Sequence, residues 1–139
     1  MHSPIFGPVI ALVVWSLVMC AWLYATRIPA ITRQKIVYDP THPDAEFHAQ
    51  LPPQVRWKAD NYNNLMEQPT LFYAVAITLA LLGADGGLNT GLAWAYVVMR
   101  VAHSLVQATI NTVMLRFAIF ISATLVLLAM TIRAALIVF

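Results

Sequence analysis

The chain reads as an all-α integral membrane protein, a bundle of four spanning helices, on three observations. Hydrophobic residues make up 60% of its 139 positions, and the mean hydropathy is +0.73. Charged residues make up 10%, against roughly 25% in a water-soluble domain, too few to clothe a water-facing surface. Four apolar stretches each approach the ~20 residues that cross the hydrocarbon of a bilayer. One domain, residues 1–139, is expected at this length. A net charge of +2 with no basic run gives no footing for nucleic acid. The lone Cys20 cannot form an intrachain disulfide and reads as a small apolar side chain within the first span.

The first span covers residues 5–26, which hold no charge, and Arg27 is expected to end it. Leu17-Val18-Met19-Cys20 faintly resembles a lipoprotein cleavage site, but Met19 is a poor residue before such a cut and no Lys or Arg precedes the apolar run. A retained anchor is expected. Residues 27–57 then read as a surface loop. Pro40, Pro43, Pro52 and Pro53 crowd it, beside Asp39, Asp44 and Glu46. His42 and His48 lie near those acids at spacings that match no metal-ligand pattern, so no metal is expected.

The second span covers residues 58–82. Its first half carries Asp60, Asn61, Asn63, Asn64, Glu67 and Gln68, and Pro69 removes one helical hydrogen bond at mid-span. The glycines at 83, 86 and 87 predict a tight turn. The third span, residues 88–112, is joined to the fourth, 115–138, by a very short link. Arg27, Arg33, Lys35, Arg56, Lys58 and Arg116 all fall on one side, which orients both termini outside and the long loop in the cytoplasm.

The third span carries the chemistry. With Arg100 at zero on a helical wheel, His103 falls at about −60°, Gln107 at about −20° and Asn111 at about +20°, one polar stripe on an apolar helix. An arginine at membrane depth costs several kcal/mol unless it faces protein or water. By helical rise, Glu67 and His103 each lie about 13 Å in from the cytoplasmic end, and Arg100 about 18 Å. Glu67 is therefore expected to meet Arg100 and His103, with Asp60 and Asn64 on the same face of span two and Arg116 above them. The bland reading is a neutralised network that ties helices together. A continuous polar gradient toward the cytoplasm favours a ligand cavity.

These residues resemble the MAPEG superfamily, the membrane-associated proteins in eicosanoid and glutathione metabolism. The resemblance rests on Arg100-Val101-Ala102-His103 followed by Gln107 and Arg116, and on Asn64-Leu65-Met66-Glu67-Gln68-Pro69, which is similar to the family's N-x-x-E motif. It runs the whole length of the chain and implies a homotrimer of four-helix subunits with glutathione bound in a cytoplasm-facing cleft. By the same resemblance, Arg116 stabilises the glutathione thiolate. Asn64, Glu67, Arg100, His103 and Gln107 bind or frame the tripeptide, and Arg27 reaches one of its carboxylates. Gln107 stands where the eicosanoid enzymes carry tyrosine, Asp60 and Asn63 where they carry arginine, and Phe117 where a serine is common. Lowering a thiol pKa by about two units takes roughly 2.7 kcal/mol, within reach of one guanidinium and a helix N-terminus.

The leading expectation is a glutathione-dependent transferase or peroxidase acting on a lipophilic electrophile that enters from the bilayer, in a bacterial inner membrane. A non-catalytic lipid-binding or scaffold protein of the same fold is the alternative, and it predicts no thiol chemistry. A proton-coupled transporter fits poorly, because the outer half of each span is nearly free of polar groups.

Overall fold

The computed structural model describes residues 2–139, and every described element is helical. Four long helices run in chain order: α1 (Phe6–Gln34), α3 (Pro53–Leu81), α4 (Gly87–Ala108) and α5 (Val113–Val138). A short helix, α2 (Asp44–Ala49), lies in the segment between α1 and α3. Helices α1 and α5 are long and apolar enough to cross a membrane, with mean hydropathies of 2.2 and 2.3 over their best windows. The polar half of α3 and the stripe on α4 dilute the other two.

The helix ends obey backbone chemistry rather than hydropathy. Arg27 does not end α1, which continues through Pro29 to Gln34 and closes at Lys35 in a left-handed conformation (φ 51°), its N–H reaching back to Ile31 and Thr32. A charged residue marks where a membrane ends, not where helical hydrogen bonds must stop. The 27–57 loop is likewise shorter than expected. Pro43 precedes a helical turn and a half at α2, and α3 starts five residues before Lys58, because Pro53 takes the first helical position, where its fixed φ helps and its missing N–H costs nothing. The tight turn after α3 forms as expected. Gly83 adopts φ 66°, its N–H bonds Ala80, and the Ala84 N–H bonds Leu79 at 2.9 Å.

Helices α3 and α4 are the inner pair, each packing against both α1 and α5 as well as against each other. Their antiparallel register is fixed by Lys58 reaching the Ala108 carbonyl, Arg100 reaching Asn64, and Tyr96 donating to Gln68. The Phe72 and Tyr96 rings stack at 4.5 Å, and Gln68 in turn donates to Thr124 of α5 at 2.8 Å. These bonds join three helices across a core of Leu12, Leu65, Leu79, Met130 and their neighbours. The outer surface of α1 and α5 is a continuous apolar coat that includes Ile10, Val14, Leu17, Leu125, Leu128 and Ile132. At the far end, Arg133 of α5 donates to Asn89 of α4, which donates to the Ala84 carbonyl at 2.6 Å.

Candidate functional site

One cavity of about 240 Å³ opens between α3, α4 and the head of α5. Asn64, His103, Gln107 and Arg116 supply its polar wall, and Val113, Phe117 and Phe120 its apolar wall. Helical spacing places His103 and Gln107 one above the other on α4, both buried. Arg116 stands in the first turn of α5, where the unsatisfied N–H groups of the helix add to its positive charge. Its Nη1 donates to the Asn111 side-chain oxygen.

Asn111 is not part of the α4 stripe. Helix α4 ends at Ala108, and Asn111 turns left-handed (φ 50°) with its N–H bonded to the Val106 carbonyl at 2.7 Å. Asparagine is among the few side chains that accept this conformation. The helical wheel missed its role for that reason: it breaks the chain between α4 and α5 and holds Arg116.

Arg100 forms the floor. It is fully buried, its Nη2 donates to both oxygens of Asn64, and its guanidinium lies 5.8 Å from the centre of the Phe120 ring. The expected pairing with Glu67 is not made within the chain. Glu67 lies nearly a turn along α3 from Asn64, the residue level with Arg100, and projects from the exposed side of α3 together with Asp60 and Asn63, while Asn64 turns toward α4. Arg27 is also away from the cavity, its guanidinium 5.4 Å from the Phe47 ring of α2. Of the residues singled out by sequence, Asn64, His103, Gln107 and Arg116 therefore meet at one cavity with Arg100 beneath it, and Arg27 and Glu67 stand outside.

The arrangement suits an anionic or strongly polar ligand. One guanidinium, that of Arg116, and no carboxylate lines the cavity, the Arg100 guanidinium lies behind Asn64, and the buried Gln107 Oε1 has no partner within the chain.

The MAPEG family model matches residues 5–136. The chain belongs to the MAPEG family. No curated protein and no solved structure among those compared matches it. Family membership, with the apolar coat on α1 and α5, makes this MAPEG chain an integral membrane protein. Members of the family commonly use glutathione. The cavity wall offers a cation at Arg116 and amide groups at Asn64 and Gln107, donors and acceptors of the kind a thiolate and a peptide pair with.

Proposed function

We propose that this protein is a membrane-embedded, glutathione-dependent transferase or peroxidase acting on a lipophilic electrophile. In this reading all four long helices span the bilayer, residues 27–57 lie in the cytoplasm, both termini lie outside, and three copies assemble around the site in a bacterial inner membrane. The observation that carries it is the position of Arg116, at the head of α5 and facing a cavity shared with Asn64, His103 and Gln107.

Bound there, glutathione supplies a nucleophilic sulfur. Arg116 lowers the cost of its negative charge, helped by the N-terminal N–H groups of α5. Asn64, held by Arg100, presents an amide to the peptide, and Gln107 adds a second amide to the same wall. Phe117 and Phe120 line the apolar side, where a lipophilic partner can lie against the sulfur with water kept away. Glu67 and Arg27, outside the cavity of their own chain, are assigned to the site of a neighbouring copy. A carboxylate at membrane depth needs such a protein or water surface.

Conjugation of a generic aromatic electrophile by the purified protein in detergent tests the mechanism. Arg116→Ala should lose nearly all activity, and an equally active Arg116→Ala overturns it. Native mass spectrometry in detergent should show trimers for the parent and a smaller species for Glu67→Leu. A monomeric parent removes the shared site.

A scaffold or lipid-binding role is the second reading. It is favoured by an apolar groove of about 330 Å³ between α1 and α4, lined by Trp15, Trp94 and several valines. Calorimetry decides between the two, since no heat from millimolar glutathione supports the scaffold.

A further inference from the structure

Away from the Arg116 site, α1 carries a stripe of its own. Ala11, Trp15, Val18, Trp22, Pro29 and Arg33 recur at helical spacing and share one face. Two cavities open along that face. The inner one is the apolar groove of about 330 Å³ against α4, and on α1 it reaches from Ala11 to Val18. The outer one, of about 440 Å³, lies beside the head of α3 at Pro52 and Val55, with Arg33 and Gln34 on its polar edge. Trp22 stands between them. Lys58 Nζ lies 4.7 Å from the centre of its ring and also reaches the carbonyl of Ala108, the last residue of α4. An indole beneath an ammonium is what the boundary between hydrocarbon and headgroups favours.

The depths match one lipid. From Thr26, where the uncharged run ends, inward to Trp15 the helix covers about 16 Å, one leaflet's share of a ~30 Å hydrocarbon core. Outward from Thr26 to Arg33 is about 10 Å, which puts the guanidinium among the headgroups once its long side chain bends back toward the membrane. Charge then selects the headgroup. Arg33 has no ion-pair partner among the described residues, where the one ion pair is His42 with Asp39. No carboxylate lines either cavity, so the ammonium of a zwitterionic lipid finds no counter-charge there. A phosphate meets a planar guanidinium.

We propose that this face of α1 binds one anionic phospholipid of the cytoplasmic leaflet. Its phosphate lies at Arg33, and an acyl chain runs past Trp22 into the groove of Trp15, Val18 and Val101. The inference takes its orientation, but no thiol chemistry, from the function proposed above. Such a lipid serves an enzyme and a scaffold alike.

Native mass spectrometry of the full-length protein in mild detergent, with phosphatidylglycerol or phosphatidylcholine added, tests this. The parent should retain about one phosphatidylglycerol per chain and hold it about fivefold more tightly than phosphatidylcholine, the order that one basic residue gains against an anionic lipid. Arg33→Gln should erase that preference and Arg33→Lys should keep most of it. Lys35→Gln, whose side chain lines neither cavity, should leave it unchanged. Val18→Trp fills the groove and should lower retention of both lipids. A parent that retains no lipid overturns the inference and leaves this face to a neighbouring copy. A preference that survives Arg33→Gln, or that falls equally with Lys35→Gln, also overturns it, the latter because diffuse charge then suffices. The readout is bound lipid rather than conjugation, so each of these failures leaves the Arg116 mechanism standing, and a failed conjugation leaves the lipid site standing.

Discussion

Arg100 of α4 donates through a single nitrogen, Nη2, to both oxygens of Asn64 on α3, the main-chain oxygen at 3.0 Å and the side-chain oxygen at 2.6 Å. Its Nε and Nη1 are buried without partners, so these two bonds are the guanidinium's whole hydrogen-bonded support within the chain. They also set the rotation of α3 against α4, and with it the wall of the cavity. Asn64→Ala removes the shorter bond. Because the acceptor serves a buried charge, the change should cost about 2 kcal/mol. A denaturant titration in mixed micelles reads the loss, and an unchanged midpoint means Arg100 is held by something else.

The bond from Arg116 to Asn111 leads to a different expectation. Asn111→Gly keeps the left-handed backbone and deletes the acceptor, so folding should persist. Arg116 then loses its anchor. The conjugation rate should fall about tenfold, the order of a charge-assisted hydrogen bond, and the pH–rate profile should move to higher pH as the thiolate loses a positioned cation. Asn111→Val should lose folded yield as well, because a β-branched residue resists φ 50°. A parental rate and profile in Asn111→Gly shows that this contact does not position Arg116.

Between the Lys58–Ala108 and Asn64–Arg100 bonds, the α3–α4 seam buries Asn61 and Ser104 at the same level, and neither side chain has a hydrogen-bond partner. An unsatisfied buried hydroxyl costs roughly 1–3 kcal/mol. Ser104→Ala should therefore leave stability unchanged or raise it by about 1 kcal/mol. A drop of that size in the unfolding midpoint would show that the hydroxyl belongs to a hydrogen-bonded network.

The turn ahead of α2 is acid-sensitive. Asp39 accepts from the Thr41 hydroxyl at 2.7 Å and its N–H at 2.9 Å, and from His42. The Thr41 bonds come first in holding its carboxyl below the ordinary value of 3.8, with the His42 contact adding to them. A lowered folded pKa means the contribution is complete above 3.8 and fades as pH falls through the lowered value. Amide exchange at Thr41 should quicken over that acid range and be steady above it. Thr41→Val should bring the Asp39 titration back up toward 3.8, and a titration that does not move assigns the shift to other groups.

Much of the fold and part of the site were legible before any coordinates. Apolar length separated the four long helices, Gly83 marked the turn after α3, and helical periodicity put Arg100, His103 and Gln107 on one stripe of α4. Depth counting set Glu67 at the height of His103, whereas the register fixed by the Lys58–Ala108, Asn64–Arg100 and Gln68–Tyr96 bonds puts Asn64 level with Arg100 and Glu67 nearly a turn away from it. Rise per residue fixes height along an axis, whereas the meeting of two helices depends on how each is rotated about its own axis.

The sequence by itself determined the family, the membrane character, and the presence of an arginine at the head of α5 near a polar stripe on α4. Only the tertiary structure decided that Asn64 rather than Glu67 meets Arg100, that Asn111 leaves the helix to hold Arg116, and that two cavities open along one face of α1. Patterning along a chain reports which side of a helix is polar. Packing between helices, through side chains such as Phe72, Tyr96 and Gln68, decides what that side faces.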